Sequence, residues 1–299
     1  MLDRRDFLTL SVAVGAGLAA GCAATLRPAS AFASDRISVV SVGTGPDVVL
    51  IPGLATSRDV WSGTVAAVPG YRYHLVQVAG FAGTPPLANA QPGPLLEHLA
   101  REISRYIVEQ RLVRPAVIGH SLGGLLAMMT AAALPGVVSR TMIVDMVPFG
   151  AMLFGGADVT AEQASVIGPR ARERYFGADA ERQRAATETL YATMIRTDGL
   201  RPTYLAQAMS SDRDVSGRLF QEVAETDLRP RLPSITGPVT VLYVSAPNIP
   251  IGEDRTDALY RAAYRNLPRA SLRRIPDAYH FIMLDQPARF SQEVREFLG

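Results

Sequence analysis

Ser121 stands between two glycines in the run Gly119-His120-Ser121-Leu122-Gly123, after the apolar stretch Ala116-Val117-Ile118 and before Gly124-Leu125-Leu126. A serine in a G-x-S-x-G run, with a strand before it and a helix after it, sits on a sharp and strained turn. Glycines on either side leave the backbone room to fold around it. The turn lifts the hydroxyl above the sheet edge, and the first N–H groups of the next helix point at an oxygen that becomes charged. Such a hydroxyl acts as a nucleophile when an imidazole takes its proton and a carboxylate holds the imidazole. Four histidines, His74, His98, His120 and His280, are available to supply the ring. The single cysteine, Cys22, permits neither an internal disulfide nor a Cys/His zinc cluster.

The elements that must position this serine follow from hydrophobic patterning. With 299 residues, 48% of them hydrophobic, the chain can bury a large core. Residues 48–53, 73–78, 116–120, 141–145 and 239–245 are short β-branched runs, apolar almost throughout. Such runs suit strands buried on both faces of a parallel sheet. Between them lie helical periods: Leu95, Leu99, Ile103 and Ile107 recur every four residues, and 125–134 is apolar nearly all round. Strand and helix in alternation predict an α/β fold, a mostly parallel central sheet flanked by helices. Between residues 147 and 232 the alternation stops, and only helical segments rich in Ala, Arg and Glu remain. Because this stretch follows a strand's C-terminal end, where open α/β sheets bind ligands, it is expected to be a helical cap. The core then comprises 35–146 and 233–299. Acidic and basic residues nearly balance, 28 against 30 for a net charge of +2, with no long basic run, which argues against a nucleic-acid partner.

Residues 1–34 read as an address. Arg4 and Arg5 precede a weakly apolar Gly/Ala-rich segment, and Ala31-x-Ala33 offers a small-residue cleavage pattern. The stretch "RRDFL" resembles a twin-arginine export signal, so a periplasmic or secreted protein is expected. The apolar part, 7–20, is shorter than the roughly 20 residues a spanning helix needs. "LAAGC" resembles a lipoprotein box, which would make a lipidated Cys22 the route to a membrane tether. The mature chain is thus expected to begin at Ser34, at a lipidated Cys22, or at an intact Met1.

From about residue 37 to 298 the chain resembles the α/β-hydrolase superfamily, in its capped, lipase- or esterase-like branch. Besides the Ser121 motif, "LIPGLATSRDVW" stands where that family has its oxyanion loop and "GFAGTPP" where it has a glycine-rich turn. "AYHFIMLDQPARF" stands where it places its histidine. The family's chain order of serine, acid, histidine implies His280 as the base, because it alone among the histidines follows Ser121. Tyr279 departs from the glycine usual before it. Asp285 reads as an N-cap for the last helix. The acid is less direct. The position aligned with it is Asn248, and a neutral amide cannot stabilise an imidazolium as a carboxylate does. Asp145, ending the strand run 141–145 where some capped relatives keep their acid, is taken first. Asp254 is the alternative, with Glu253 a weaker form of the same idea. The resemblance implies an oxyanion hole from the backbone N–H groups of Leu54 and Leu122. Gly53 allows the close approach, and Pro52 replaces a histidine many relatives carry there.

The resemblance implies hydrolysis of carboxylic esters through an acyl-enzyme, with a small-molecule ester as substrate and neither metal nor organic cofactor. The same residues would serve acyl transfer, lactone or carbon–carbon bond hydrolysis, or perhydrolysis, and some members of the fold only bind ligands. Phe149, Met152, Leu153 and Phe154, at the start of the expected cap, are candidates for an acyl pocket or for packing the cap on the core. Short to medium apolar esters are the expected substrates.

Overall fold

The computed structural model describes residues 32–299 except 178 and 248. Seven strands form one sheet in the order β1-β3-β2-β4-β5-β6-β7: β1 (Ile37–Val42), β2 (Asp47–Ile51), β3 (Arg72–Val78), β4 (Ala116–His120), β5 (Arg140–Val144), β6 (Val239–Tyr243) and β7 (Ser271–Arg274). Only β1 is antiparallel to its neighbour. In the central strands successive residues serve opposite faces: Val49 and Ile51 join one core cluster, Val48 and Leu50 the other. That division explains why both sets had to be apolar, and why these runs do not alternate.

Helices cover both faces. One layer holds α2 (Leu96–Glu109), α3 (Leu122–Ala133) and α9 (Glu253–Ala263), whose Leu99, Ile103, Leu125, Leu126 and Tyr260 pack in the first cluster. The other holds α1 (Ser62–Ala67), α10 (Ile282–Asp285) and α11 (Pro287–Leu298), with Ile282, Phe290, Val294 and Phe297 in the second. Between β5 and β6 the chain is helical: α4 (Met152–Gly155), α5 (Ala161–Arg172), a π-helical turn at Glu173–Gly177, α6 (Ala180–Met194), α7 (Arg201–Ser210) and α8 (Arg213–Glu225). Thr160 starts α5 with a capping box to Gln163.

The edge strand β1 has no counterpart in the buried runs read from the sequence. Its residues are mostly exposed, Val40 and Val42 among them, so it presents no continuous apolar stretch. Of the expected export segment, Arg4, Arg5, Cys22 and Ala31 lie outside the described residues. Phe32 packs edge-on against Tyr106 of α2 at 5.0 Å between ring centroids, and the Ala33 carbonyl accepts a hydrogen bond from Arg105 at 2.7 Å.

Candidate active site

β4 delivers Ser121 to the C-terminal edge of the sheet. Its φ of 53° and ψ of −121° put a non-glycine residue in the left-handed half of the map, where strain is stored. The turn is anchored by the Ser121 N–H, which donates to the Val144 carbonyl of β5 at 2.9 Å. The flanking glycines are obligatory because main chain crosses main chain. A Cβ on Gly119 would lie 2.0 Å from the Gly123 carbonyl oxygen, and one on Gly123 would lie 2.2 Å from that of Ile51. At the start of α3, the N–H of Leu122 has no acceptor among the described residues, as expected for the first turn of a helix. The same holds for the N–H of Leu54, in the loop after β2. That loop is fixed from two sides: Thr56 Oγ1 donates to the Leu54 carbonyl at 3.0 Å, and the Ser57 N–H donates to Gln207 Oε1 of α7 at 2.9 Å.

β5 ends one residue before Asp145, which also adopts a positive φ of 53°. Its carboxylate turns back over the sheet. Oδ1 accepts from the Val244 N–H at 3.1 Å and the Tyr260 hydroxyl at 3.0 Å, and Oδ2 accepts from His280 Nδ1 at 2.6 Å. Aspartate and histidine are both buried. Tyr260 belongs to a stack with Tyr243 and Tyr264, and burial, then the Asp145 charge, push its pKa well above the usual phenol value. It therefore remains a protonated donor to the carboxylate. Among the carboxylates weighed from the sequence, His280 meets Asp145. Asp254 is exposed on the first turn of α9, Glu253 pairs with Arg274 at 2.8 Å, and Asn248 lies outside the described residues.

His120, the residue before the serine, carries a role that motif reading missed. It is wholly buried, its Nε2–H donates to the His280 carbonyl at 3.0 Å, and its ring lies 4.6 Å from the His280 ring. Burial, then the neighbouring His280, hold its pKa well below the usual histidine value, so a neutral ring packs against the second one. Asp285 does not cap α11, where Gln286 occupies the N-cap position. Its carboxylate instead accepts from the N–H groups of Arg196 at 3.0 Å, Thr197 at 2.9 Å and Tyr279 at 2.9 Å, joining the chain beyond α6 to the His280 loop. His74 lies in β3 and His98 in α2, both away from this cluster.

Ser121, His280, Leu54 and Leu122 all line one cavity of about 170 Å³. Of the four residues expected from the sequence to form an acyl pocket, Leu153 and Phe154 line it. Phe149 and Met152 do not: both are buried in the core, and the Arg229 guanidinium lies 4.7 Å over the Phe149 ring. Sequence reading also missed the contribution of α6, whose Gln183, Thr187, Leu190, Tyr191 and Met194 form part of the wall. Among the described residues, no Asp, Glu, Lys or Arg lines the cavity. Its polar groups are the serine, two histidines and uncharged side chains.

Residues 48–293 match the model of the alpha/beta hydrolase family. The chain is 25% identical over 263 residues to a pimeloyl-[acyl-carrier protein] methyl ester esterase of Vibrio vulnificus, covering 86% of this chain and 96% of that one. A second protein of that name, from Aeromonas hydrophila, is 37% identical over 100 residues, 33% of this chain and 37% of its own length. The mouse sn-1-specific diacylglycerol lipase ABHD11 is 25% identical over 264 residues, 86% of this chain and 82% of that one. Among solved structures, the esterase EaEST from Exiguobacterium antarcticum superposes with a TM-score of 0.71 at 16% identity, covering 88% and 95% of the two chains. This chain belongs to the alpha/beta hydrolase family.

Proposed function

We propose that the protein is a serine hydrolase of carboxylic esters in which Ser121 is the nucleophile, His280 the general base and Asp145 the acid that orients it. The observation that carries the reading is the 2.6 Å hydrogen bond from His280 Nδ1 to Asp145, made beside a cavity that the strained Ser121 also lines. With Nδ1–H committed to the carboxylate, Nε2 is the nitrogen left to take a proton. Ser121 Oγ attacks the ester carbonyl as His280 Nε2 accepts its proton. The oxyanion so formed takes hydrogen bonds from the free N–H groups of Leu54 and Leu122. His280 then gives the proton to the departing alkoxide, and water repeats the sequence on the acyl-enzyme to release the acid. Asp145 holds the Nδ1–H tautomer and stabilises the imidazolium of each step.

The names of the relatives support ester chemistry, two being a methyl ester esterase and a diacylglycerol lipase. A lactone is the second substrate type to test, because one structural neighbour, Est816, is an N-acyl homoserine lactone degrading enzyme. The segment 147–232 is read as a cap, placing the protein in the capped branch, and 1–34 as an export signal that directs a periplasmic or secreted chain. The N-terminal mass of the mature protein distinguishes Ser34, a lipidated Cys22 and Met1. The decisive experiment is covalent labelling with a fluorophosphonate. Label should enter the native protein and be absent from Ser121→Ala, and a well-folded native protein that takes up none would make the site a binding site only.

A further inference from the structure

The ester chemistry uses a few of the residues that line the cavity; helix α6 contributes side chains that it does not need. Helix α6 places Gln183, Thr187 and Tyr191 at four-residue intervals, and all three line the cavity. That spacing stacks them on one face, roughly 6 Å apart along the axis. Tyr191 marks the deep end: it is 6% exposed, and its ring lies 6.1 Å from that of Phe281, the residue after His280. Its hydroxyl has no hydrogen-bond partner among the described residues. Burial raises its pKa, so it stays a donor. The Thr187 hydroxyl donates to the Gln183 carbonyl at 2.8 Å, leaving its oxygen to accept. The Gln183 side-chain amide, at the half-exposed end, is bonded to no described residue. Beside this row the wall is aromatic. Phe154, Tyr175 and Phe176 surround Phe220 at centroid distances of 5.5 to 6.5 Å, the middle two carried by the π-helical turn.

Tyr191 is buried as a residue, but its unpaired hydroxyl is not among the sealed polar atoms and so keeps accessible surface on a residue that lines the cavity. A wall built only to hold an alkyl chain gains nothing from such a hydroxyl, because an apolar chain laid over it would leave it without a partner. We propose that the Gln183–Thr187–Tyr191 face of α6 recognises a second, uncharged oxygen-bearing group on the ester substrate, such as an ether, hydroxyl or further ester. Tyr191 donates to the oxygen nearer the scissile carbonyl and Gln183 to one farther out. This rests on the Ser121–His280 reading and names its substrate class. A free carboxylate or ammonium on the same substrate would find no opposite charge in the wall.

The test uses three p-nitrophenyl esters of matched length: a plain alkyl chain, one ending in a methyl ester, and one ending in a free carboxylate. In the native protein, kcat/KM for the methyl-ester chain should exceed that for the alkyl chain roughly tenfold. It should exceed that for the carboxylate by roughly a hundredfold or more. Tyr191→Phe and Gln183→Leu should each bring the first ratio towards one, and Gln183→Arg should raise the carboxylate substrate relative to the other two. Gln183 is half-exposed, so its variants keep the test open if Tyr191→Phe does not fold. Equal turnover of alkyl and oxygenated esters by the native protein overturns the proposal, as does a loss in the variants that falls equally on both. Fluorophosphonate labelling separates the two levels. Labelled Ser121 with a flat ratio removes the recognition face alone, whereas a folded protein that resists labelling removes the catalytic reading beneath it.

Discussion

Among the described residues two buried histidine–aspartate pairs stand at opposite ends of the sheet, each with a serine in its neighbourhood. At the N-terminal end of β2, Asp47 Oδ1 lies 2.9 Å from His74 Nε2, and His74 Nδ1 lies 3.1 Å from Ser41 Oγ. At the C-terminal edge, Asp145 holds His280 in the cavity that Ser121 also lines. Residue types alone would make both of them candidates. The first pair, however, is saturated. The Tyr106 hydroxyl sits 2.7 Å from His74 Nδ1, while Asp47 also accepts from Arg72 at 2.7 Å and the Val113 N–H at 3.0 Å. Burial works against the ionised Asp47, yet these donors together hold its pKa below the usual carboxylate value. Both ring nitrogens of His74 and both oxygens of Asp47 are bonded within the fold, and Ser41 has an ordinary strand conformation opposite His74. The second pair keeps one imidazole nitrogen unspent, in a cavity that a strained serine and the residues of two free N–H groups also line. Reactivity here is set by what a site leaves unpaired.

Mutations at matched positions should pull the two apart. Ser121→Ala should lower kcat on a chromogenic ester by about 10⁶, whereas Ser41→Ala should leave it where it was. Equal losses at both serines would erase the distinction. Next in size, Asp145→Asn should lower kcat by about 10⁴ through loss of the Nδ1–H tautomer, and Asp254→Asn by only a few-fold. The matching change in the other pair, Asp47→Asn, should act on folding, removing about 3 kcal/mol in urea unfolding while kcat per folded molecule holds. A smaller catalytic effect is expected at Gly53. A Cβ there would meet His120 Nδ1 at 2.9 Å and Ser121 Cβ at 3.3 Å, so Gly53→Ala should shift the loop that offers the Leu54 N–H. The loss of one oxyanion donor corresponds to about 10² in kcat.

The smallest effect concerns pH. His74 and His120 both have native pKa values below the ordinary 6.5, in each case chiefly through burial. The unfolded chain then binds protons that the native one refuses, so their contribution is complete above pH 6.5 and is lost as pH falls below it. Stability should decline by up to about 1.4 kcal/mol per pH unit for each ring, read as a Tm that drops from pH 7 to 5. His74→Gln should make that slope shallower, leaving the part due to His120.

The sequence carried the nucleophile because its evidence is local: glycines at Gly119 and Gly123 between an apolar strand and an apolar helix have few other uses. His280 followed from chain order within a family resemblance. The acid did not follow, since Asp145 and Asp254 are both carboxylates just past a strand, and only the folded chain shows which one meets Nδ1. Phe149 and Leu153 likewise look alike in sequence, yet Phe149 is held in the core by a β-bridge to Asp227 while Leu153, in α4, lines the cavity. His120 was hidden because its partner lies 160 residues away. The four-residue spacing of Gln183, Thr187 and Tyr191 was visible, but among so many Ala, Arg and Glu neighbours it resembles a solvated helix face.

The Asp285 carboxylate has a mechanical consequence. It bonds the backbone at 196 and 197 to Tyr279, while the Phe281 N–H donates to the Met194 carbonyl at 3.2 Å and Arg196 pairs with Asp277 at 2.6 Å. The trailing end of α6 and the loop bearing His280 are thereby riveted into one block. Any swing of that helix must pivot about its Met194 end, so traffic through its far end at Gln183 leaves the imidazole undisturbed.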